Sequence, residues 1–434
     1  MKKTISIFWL RRDLRLEDNA ALYHALKGEH PVLPLFIFDQ NILEKLTKDD
    51  ARVTFIYQAI EDLKTTLQKH GSDVLVKYGK PEKVWPEVLK EYDVAEVYTN
   101  HDYEPYARER DDDMAEFLTS EKIEFKTFKD QVIFEKGEIL KADQTPYTVF
   151  TPFYKQWHAK LNDFYTKAYP TKKYFKNFLE TKHLPLPSLK EMGFEKSNLQ
   201  FPKIEYKSKL DDYAKERDYP AIAGTTRIGL HLRFGTISIR KLVKDAIAAK
   251  SNVWLSELAW REFYMMILWH FPYSAHDSFK KQYDKIKWRN NEKEFKAWCE
   301  GNTGYPIVDA GMRQLNEIGW MHNRVRMVTA SFLSKHLLID WRWGEAYFAN
   351  KLLDYEMASN VGGWQWAAGS GNDAAPYFRV FNPELQTKRF DPKFEYIKKW
   401  VSEFGTKKYA QPIVEHKFAR ERVLKVFKEA LANS

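Results

Sequence analysis

The chain has 434 residues, of which 44% are hydrophobic and 30% are charged, a balance that is typical of a soluble globular protein and excludes a disordered or fibrous one. The length exceeds that of one ordinary core and predicts two domains. The net charge of +9 is compatible with a polyanionic partner, although a basic enzyme without such a partner would have the same composition.

The N-terminus and the cysteine count bear on localisation. A short apolar run is followed at once by Arg11 and Arg12, which predicts a β-strand rather than a signal peptide. No apolar stretch reaches the length of a membrane span. The one cysteine, Cys299, cannot form an internal disulfide, which fits a reducing cytoplasm and argues against a Cys/His metal site. We therefore expect a cytoplasmic protein without a metal or a membrane anchor.

Residues 1–128 alternate apolar strands with helical segments. Strands are predicted at 5–10, 32–38, 73–78, 94–99 and 125–128, and helices at 51–70, 82–91 and 105–120. This βαβ order predicts an α/β domain with a right-handed, parallel five-stranded sheet. Neither G-x-G-x-x-G nor a P-loop is present, so no dinucleotide or P-loop phosphate site is indicated here.

The pattern changes after residue 128. Residues 129–205 mix prolines, lysines and aromatic residues, as in a long interdomain connection. Residues 206–434 have helical spacing and almost no strand signal, which predicts an all-α domain. Eleven of the 14 tryptophans lie after residue 250, and aromatic planes at this density suit base stacking, redox chemistry or both.

The segment VWLSELAWREFY puts a carboxylate beside aromatic rings on one predicted helix. Trp254, Glu257 and Arg261 fall at i, i+3 and i+7, while Trp260 and Tyr264 form the adjacent row. An acid is costly to bury unpaired, so Glu257 reaches solvent, pairs with a cation or serves a ligand. A structural salt bridge is the simplest of these interpretations.

Two other segments have two interpretations each, and a third gives a weak signal. In HNRVRM, Asn323 and Met327 are i, i+4 neighbours on one helix face. Either both line a pocket, or Asn323 is a helix cap and Met327 a core side chain. Gly362 and Gly363 permit close approach of a flat ligand or mark a helix-breaking turn. The segment GTTRIG (224–229) is a weak signal for a phosphate site ahead of a helix.

Long segments of the chain also occur in the order of one known family. They are FWLRRDLRLEDN (8–19), RDYPAIAGTTR, VWLSELAWREFY, GYPIVDAGMRQLNEIGWMHNRVRM, LLIDWRWGE and NVGGWQWAAGSGNDAAPYFRVFNP. Over essentially its whole length the sequence resembles the photolyase and cryptochrome family, and most closely its microbial class I branch. The resemblance implies an antenna-type α/β domain (1–128), a connection (129–205) and a helical FAD- and DNA-binding domain (206–434).

The family binds FAD in a U-shape inside the helical domain. The residues implied to bind it here are Tyr213, Thr225, Thr226, Arg227, Ile228, Gly229, Trp254, Arg326, Asp354, Tyr355, Glu356 and Asn360. Arg326 is implied to pair with Asp354 beside the flavin ring, and the Asn360 amide oxygen to accept a hydrogen bond from flavin N5–H. Glu356 departs from close relatives, which carry an aspartate.

The resemblance also implies the substrate and relay residues. Glu257, Asn323 and Asn360 are the implied catalytic residues, with Glu257 and Asn323 contacting the damaged base. The set implied to hold DNA or the flipped lesion is Arg217, Glu257, Trp260, Arg261, Asn323, Met327, Trp366 and Gln386, with the two tryptophans stacking on the dimer. Trp364, Trp341 and Trp288 match the family's electron-transfer chain, in that order from flavin to surface.

The implied activity is blue-light-driven repair of cyclobutane pyrimidine dimers in DNA by a monomer, through electron transfer from reduced FAD and without a metal. A cryptochrome photoreceptor is the first alternative; such proteins often carry a C-terminal extension, whereas this chain ends at Ser434, which favours repair. A (6-4) photolyase is the second, but its active site resembles paired histidines where this chain has His322 and then Asn323.

An antenna chromophore is a separate expectation. The segments FIFD (36–39) and NHDYEPYARERD (100–111) resemble a deazaflavin pocket more than a folate pocket, because Ala107 occupies the position of the folate-contacting glutamate. Ala107 also replaces a glycine of the deazaflavin pattern. A deazaflavin and methenyltetrahydrofolate therefore both stay open, as does a purely structural loop.

Overall fold

The structure is a computed structural model that describes residues 3–432, so Ser434 lies outside it. The chain forms two compact units. The first contains the residues up to 138, 160–205 and 228–248, and the second contains 139–159, 206–227 and the residues from 249 on. Residues 129–205 thus contribute to both units, and the predicted division into domains at 128 and 205 stays a prediction.

The first unit holds a five-stranded, all-parallel sheet in the order β3-β2-β1-β4-β5. Its strands are β1 (Thr4–Leu10), β2 (Val32–Asp39), β3 (Leu75–Gly79), β4 (Asp93–Asn100) and β5 (Glu124–Phe128). β1 lies at the centre and is buried at all positions but the first, because strands cover both its edges and other elements cover both its faces. The predicted α/β fold with this sheet is confirmed.

The α-helices begin and end as follows: α1 (Ala20–Leu26), α2 (Gln40–Leu43), α3 (Ala51–Gln68), α4 (Pro81–Glu91), α5 (Pro105–Ser120), α6 (Phe150–Lys160), α7 (Tyr213–Glu216), α8 (Gly229–Arg233), α9 (Ile239–Ala248), α10 (Asn252–His270), α11 (Glu292–Glu300), α12 (Pro306–Ile318), α13 (Asn323–Ser331), α14 (Trp341–Lys351), α15 (Met357–Ala368), α16 (Pro383–Phe390), α17 (Glu395–Trp400) and α18 (His416–Ala432). A π-helical turn, Phe332–His336, follows α13. The sequence patterns missed α1, since seven residues are too few to establish a helical period.

The second unit is helical, as predicted, and contains no β-strand among its described residues. Here α15 packs against α10, α13 and α14, and its Trp364 lies in a core shared with Trp298, Leu315 and Val325. Among residues 3–432, no helix has both the length and the apolar composition needed to cross a membrane.

Two local interpretations are corrected. Gly362 and Gly363 lie inside α15, which ends at Ala368 and is capped by Gly369 (φ 95°). The interpretation of the two glycines as a helix-breaking turn is therefore wrong. Asn323 is the first residue of α13 rather than its cap, because the cap is His322, whose Nδ1 accepts a hydrogen bond from the Arg324 N–H at 3.2 Å. Both corrections leave these residues free to serve the cavity described next.

Candidate active site

A cavity of about 410 Å³ opens in the helical unit. This volume lies within the range of small-molecule sites, about 300–1,000 Å³. Most of its wall is built by α10, α13, α15 and the segment 352–356, and Arg217 at the end of α7 and Phe348 of α14 complete it. The predicted site residues on this wall are Arg217, Glu257, Trp260, Arg261, Asn323, Arg326, Met327, Asp354, Tyr355, Glu356, Asn360, Trp364 and Trp366.

The other predicted site residues lie off this wall: Tyr213, Thr225, Thr226, Arg227, Ile228, Gly229, Trp254, Trp288, Trp341 and Gln386. Trp254 is buried and stacks on Tyr206, with ring centroids 5.4 Å apart. The segment 224–229 leads into α8, which has only five residues. Its predicted phosphate contacts, like the DNA contact of Gln386 on α16, stay predictions.

Arg326 and Asp354 form the ion pair that the resemblance implied. Nη2 of Arg326 donates to Oδ1 and Oδ2 of Asp354 at 3.1 and 2.9 Å, and its Nε donates to the carbonyl oxygen of Met321 at 2.8 Å. Charge-assisted bonds of this kind hold the planar guanidinium in one orientation. The cavity wall therefore carries a fixed cation beside a carboxylate.

Glu257 is ion-paired and also faces the cavity. Nη1 of Arg217 donates to its Oε1 at 2.6 Å, and both side chains are partly exposed. The guanidinium of Arg217 also lies over the ring of Tyr213, 5.4 Å from its centroid. Burial first and the nearby Glu257 second raise the pKa of the Tyr213 phenol. The salt-bridge interpretation of Glu257 and its place in a ligand site are thus both compatible with the structure.

A second ion pair joins Arg261 to Glu356. Nε of Arg261 lies 3.0 Å from Oε2 of Glu356, and Nη2 donates to Oε1 at 3.0 Å. Their side chains are only 10% and 6% exposed, so the pair is largely removed from solvent. The DNA contact predicted for Arg261 stays a prediction, and a DNA phosphate would have to compete with Glu356 for the guanidinium.

Trp260 already contacts the rings of Phe150, Phe263 and Tyr264. It is stacked on Phe150 with a centroid separation of 3.7 Å and an interplanar angle of 11°. The indole face toward Phe150 is therefore covered and is not available to a base. Phe150 belongs to α6, in the segment that the sequence predicted as a connection, and no local signal tied it to Trp260.

The three tryptophans of the predicted relay differ in exposure. Trp364 and Trp341 are buried, at 2% and 1% exposure, whereas Trp288 is half-buried and packs on Phe427 of α18. Trp364 alone of the three lines the cavity. The cavity position of Trp364 and the partial exposure of Trp288 fit the two ends of the predicted order, and electron transfer along it stays a prediction.

Some wall residues were not singled out from the sequence, among them Ala330, Phe348, Leu352 and Ser359. Tyr264, which the sequence placed one turn after Trp260 on α10 but did not assign to the site, also lies on this wall. Phe348 and Leu352 gave no usable signal, since apolar residues at this spacing are typical of any packed helix.

The two glycines of α15 have different roles. A Cβ at Gly362 would lie 2.2 Å from Cδ1 of Tyr264, whereas a Cβ at Gly363 would meet nothing within 4 Å. The backbone at Gly363 is therefore open to a flat ligand. The buried indole N–H of Trp364, on the same wall, has no hydrogen-bond partner among the described residues. With the ion pair of Arg326 and Asp354, this wall fits a flavin.

We expect Gly362→Ala to destabilise the protein by about 1–3 kcal/mol, because the added methyl group overpacks against the Tyr264 ring. Gly363→Ala is the matched control. It should gain up to about 1 kcal/mol from helix propensity while lowering the flavin content of the purified protein. Thermal unfolding and flavin absorbance measure the two effects. Equal unfolding temperatures for the two variants would contradict the packing argument.

Comparison with known proteins shows the family to which the chain belongs. Residues 254–406 match the FAD-binding domain of DNA photolyase, and residues 6–173 match the DNA photolyase family. A deoxyribodipyrimidine photo-lyase of Synechococcus is 36% identical over 98% of this chain and 97% of its own. The chain belongs to the photolyase and cryptochrome family. It is a photolyase-type flavoprotein enzyme with FAD as its cofactor, which confirms those predictions.

Solved structures of photolyases and cryptochromes share the fold. A class III photolyase from Agrobacterium tumefaciens superimposes with a TM-score of 0.88 at 33% identity, over 99% of this chain and 98% of its own. A cryptochrome of Synechocystis superimposes with a TM-score of 0.86 at 25% identity, over 98% of this chain and 99% of its own. Membership of class I, as opposed to another photolyase class, stays a prediction.

The segments predicted to hold an antenna in this photolyase-type protein lie at the carboxyl ends of β2 and β4. The Tyr106 hydroxyl donates to Asp39 at 2.6 Å, and the guanidinium of Arg110 lies 5.2 Å from the centroid of the Trp9 ring. Ala107 is buried on α5. The polar groups here already bind one another, and the presence and identity of an antenna chromophore stay open.

Proposed function

We propose that this photolyase-family protein repairs cyclobutane pyrimidine dimers in DNA under blue light. One observation carries the proposal. The residues predicted for the cofactor, such as Arg326 and Asn360, and those predicted for the lesion, such as Glu257 and Asn323, line one and the same cavity. Groups that exchange an electron directly have to be bound close together, and a shared cavity provides this.

The chain's own residues bind and orient the lesion in this proposal. Trp260 offers one face of its indole and Trp366 a second ring to the flipped bases, and Met327 fills the space beside them. Glu257 and Asn323 hydrogen-bond the damaged base. Reduced FAD, when bound and excited by light, supplies the electron that the dimer accepts and then returns.

His322 supports the dimer over the (6-4) lesion. It is 1% exposed, and its Nδ1 is used to cap α13. Burial lowers the pKa of this imidazole to about 4, so it is neutral near pH 7 and unsuited to protonating a substrate there. The second candidate function is a cryptochrome-type photoreceptor, which is favoured by the similarity to the Synechocystis structure.

An anaerobic repair assay tests the function. Oligonucleotides that carry a thymine dimer or a (6-4) product are incubated with reduced protein in blue light and in the dark. We expect restoration of thymine only from the dimer and only in light. Repair of the (6-4) product alone would overturn the proposal, and light-dependent spectral changes without repair of either would favour the photoreceptor.

Binding to damaged duplex is expected to weaken steeply with salt, because phosphate contacts release counterions. Arg217→Ala should weaken binding and reduce the slope of log K against log [salt] by about 0.9, the value for one lost phosphate contact. Lys425→Ala, which removes an exposed charge of α18, is the control and should change neither the affinity nor the slope. The measurement is fluorescence anisotropy over a salt series.

Arg217→Ala also leaves Glu257 without this ion-pair partner. The double variant Arg217→Ala/Glu257→Gln removes that complication, and the reduced slope should persist in it. Affinity for dimer-containing DNA that does not depend on ionic strength would show that the proposed DNA surface is wrong.

We also propose that the protein acts as a monomer in the cytoplasm. All residues of the proposed site come from one chain, so no second copy is needed to complete it. The thiol of Cys299 is half-buried, and burial raises its pKa to about 12, which makes it a poor cross-linking group. Light scattering after gel filtration should give the mass of one chain, and a dimer mass would refute this.

A further inference from the structure

Glu345 of α14 lies directly behind Asn360 and has no role in the function proposed above. The side-chain amide of Asn360 donates from Nδ2 to Oε1 of Glu345 at 2.9 Å and to the backbone oxygen of the same residue at 3.1 Å. Asn360 lines the cavity, whereas Glu345 does not. Glu345 therefore acts on the cavity through its charge and through its hydrogen-bond partners Asn360 and Tyr355 rather than by direct contact.

The two hydrogen bonds determine which end of the amide faces the cavity. A carbonyl oxygen and an ionised carboxylate can only accept hydrogen bonds, so the NH2 end of Asn360 has to face Glu345. Turning the amide over would place its oxygen against two acceptors. The oxygen of Asn360 is thereby left for the cavity, where it can accept a hydrogen bond but cannot donate one.

The charge of Glu345 responds to its surroundings. Burial raises the pKa of this carboxyl group, while hydrogen bonds from Asn360 and Tyr355 and the field of His276 act in the opposite direction. The Tyr355 hydroxyl lies 3.5 Å from Oε1. The group is ionised above its raised pKa and neutral below it. A fall in pH toward the acid range therefore removes a negative charge next to Asn360.

We propose that Glu345 is a positioning residue that holds the Asn360 amide with its oxygen toward the cavity, and that its charge sets how readily a flavin at Asn360 is reduced. The inference rests on the proposed placement of the flavin beside Asn360. Reduction of the flavin to its anionic form adds two electrons, from an external dye couple, and one proton, from water. An amide oxygen at N5 favours the new N–H, and a carboxylate behind the amide disfavours the added negative charge.

Two variants separate position from charge. Glu345→Gln keeps a carbonyl oxygen that can accept from Asn360 but loses the charge. In Glu345→Met the side chain has a similar length but loses both the hydrogen-bond acceptor and the charge. If the charge matters, the Gln variant is easier to reduce than the native protein; if the position matters, the Met variant is harder to reduce than the Gln variant, because its Asn360 amide has lost one of the two acceptors that orient it.

A dye-equilibrated redox titration of the holoprotein over a range of pH tests both parts. Above the pKa of Glu345, we expect the equilibrium constant for two-electron reduction to rise at least tenfold in Glu345→Gln, which corresponds to a midpoint about 30 mV more positive. This difference should vanish as the pH falls through the pKa of Glu345, since the native carboxyl group then also becomes neutral. Glu345→Met should lie severalfold below Glu345→Gln at every pH.

A second readout needs no flavin. In the apoprotein, the side-chain ¹⁵N–H2 resonances of Asn360 should shift with pH in the native chain and stay constant in Glu345→Gln. Thermal unfolding and flavin content establish that the variants fold. Equal midpoints in the native and Gln proteins at every pH would overturn the role of the charge, and equal midpoints in the Gln and Met proteins would overturn the positioning role.

The variant Asn360→Leu distinguishes failure of this inference from failure of the flavin placement. If Asn360→Leu shifts the midpoint but neither Glu345 variant does, the role of Glu345 is refuted and the placement stands. If Asn360→Leu also leaves the midpoint unchanged, the flavin does not lie at Asn360, and the inference fails together with the placement on which it rests.

Discussion

Trp364→Phe is expected to abolish nearly all photoreduction of the oxidised protein while chemically reduced protein still repairs dimers. Phenylalanine is much harder to oxidise than tryptophan, so the proposed step next to the cavity is blocked, whereas in the proposed repair reaction the electron passes only between cofactor and lesion. The ring is packed against Phe348 and Trp298, at centroid distances of 5.0 and 5.9 Å. A smaller aromatic ring keeps most of this packing, so the fold should survive.

Flavin absorbance under blue light with an external reductant measures photoreduction. A repair assay after dithionite reduction measures dimer repair by the chemically reduced protein. Trp341→Phe should behave like Trp364→Phe, and Trp288→Phe should be milder if other surface aromatic residues can act as the last donor. Trp298→Phe is the matched control, because Trp298 is buried against Trp364 but is not part of the predicted chain.

Unchanged photoreduction in Trp364→Phe would mean that electrons enter by another path and that all three assignments have to be withdrawn. Loss of photoreduction in Trp298→Phe but not in Trp341→Phe would instead show that the path leaves Trp364 through Trp298.

Glu257→Gln is expected to lower the quantum yield of dimer splitting to well under half while changing affinity little. In the proposed mechanism, Glu257 together with its ion-pair partner Arg217 holds the damaged base and stabilises the dimer radical anion once it has formed, and stabilisation of a transient charge acts on the reaction more than on binding. Trp260→Ala should do the opposite and weaken binding by about 1–3 kcal/mol, the range for loss of a base stack. Yield per absorbed photon and affinity for dimer-containing duplex are measured on the same preparations.

The structure adds a control to this comparison. Trp260→Ala also removes the stack on Phe150, and Phe150→Leu removes that stack while keeping the indole. We expect Phe150→Leu to lower thermal stability and to leave most of the affinity intact. Equal losses of affinity in Glu257→Gln and Trp260→Ala, with no loss of yield in either, would contradict the division of roles.

Local patterns predicted much of this protein because they act over a few residues. Five apolar runs interrupted by helices gave a parallel sheet whose strand bounds differ from the predicted ones by at most two residues. On α10, the spacing of Glu257, Trp260 and Arg261 indicated which side chains come together, since residues three and four apart share a helix face, and all three line the cavity. The family segments added the cofactor, which no spacing rule supplied.

Only the tertiary structure decided which of these residues pair with each other. Arg217 reaches Glu257, Arg261 reaches Glu356 and Glu345 holds Asn360, in each case across different elements. The sequence left Glu257 with three possible environments and gave Glu345 no role, because periodicity fixes the face of one helix but not the neighbour that packs against it. Such pairings depend on how distant segments pack, and that packing is set by the whole hydrophobic core rather than by any local run of residues.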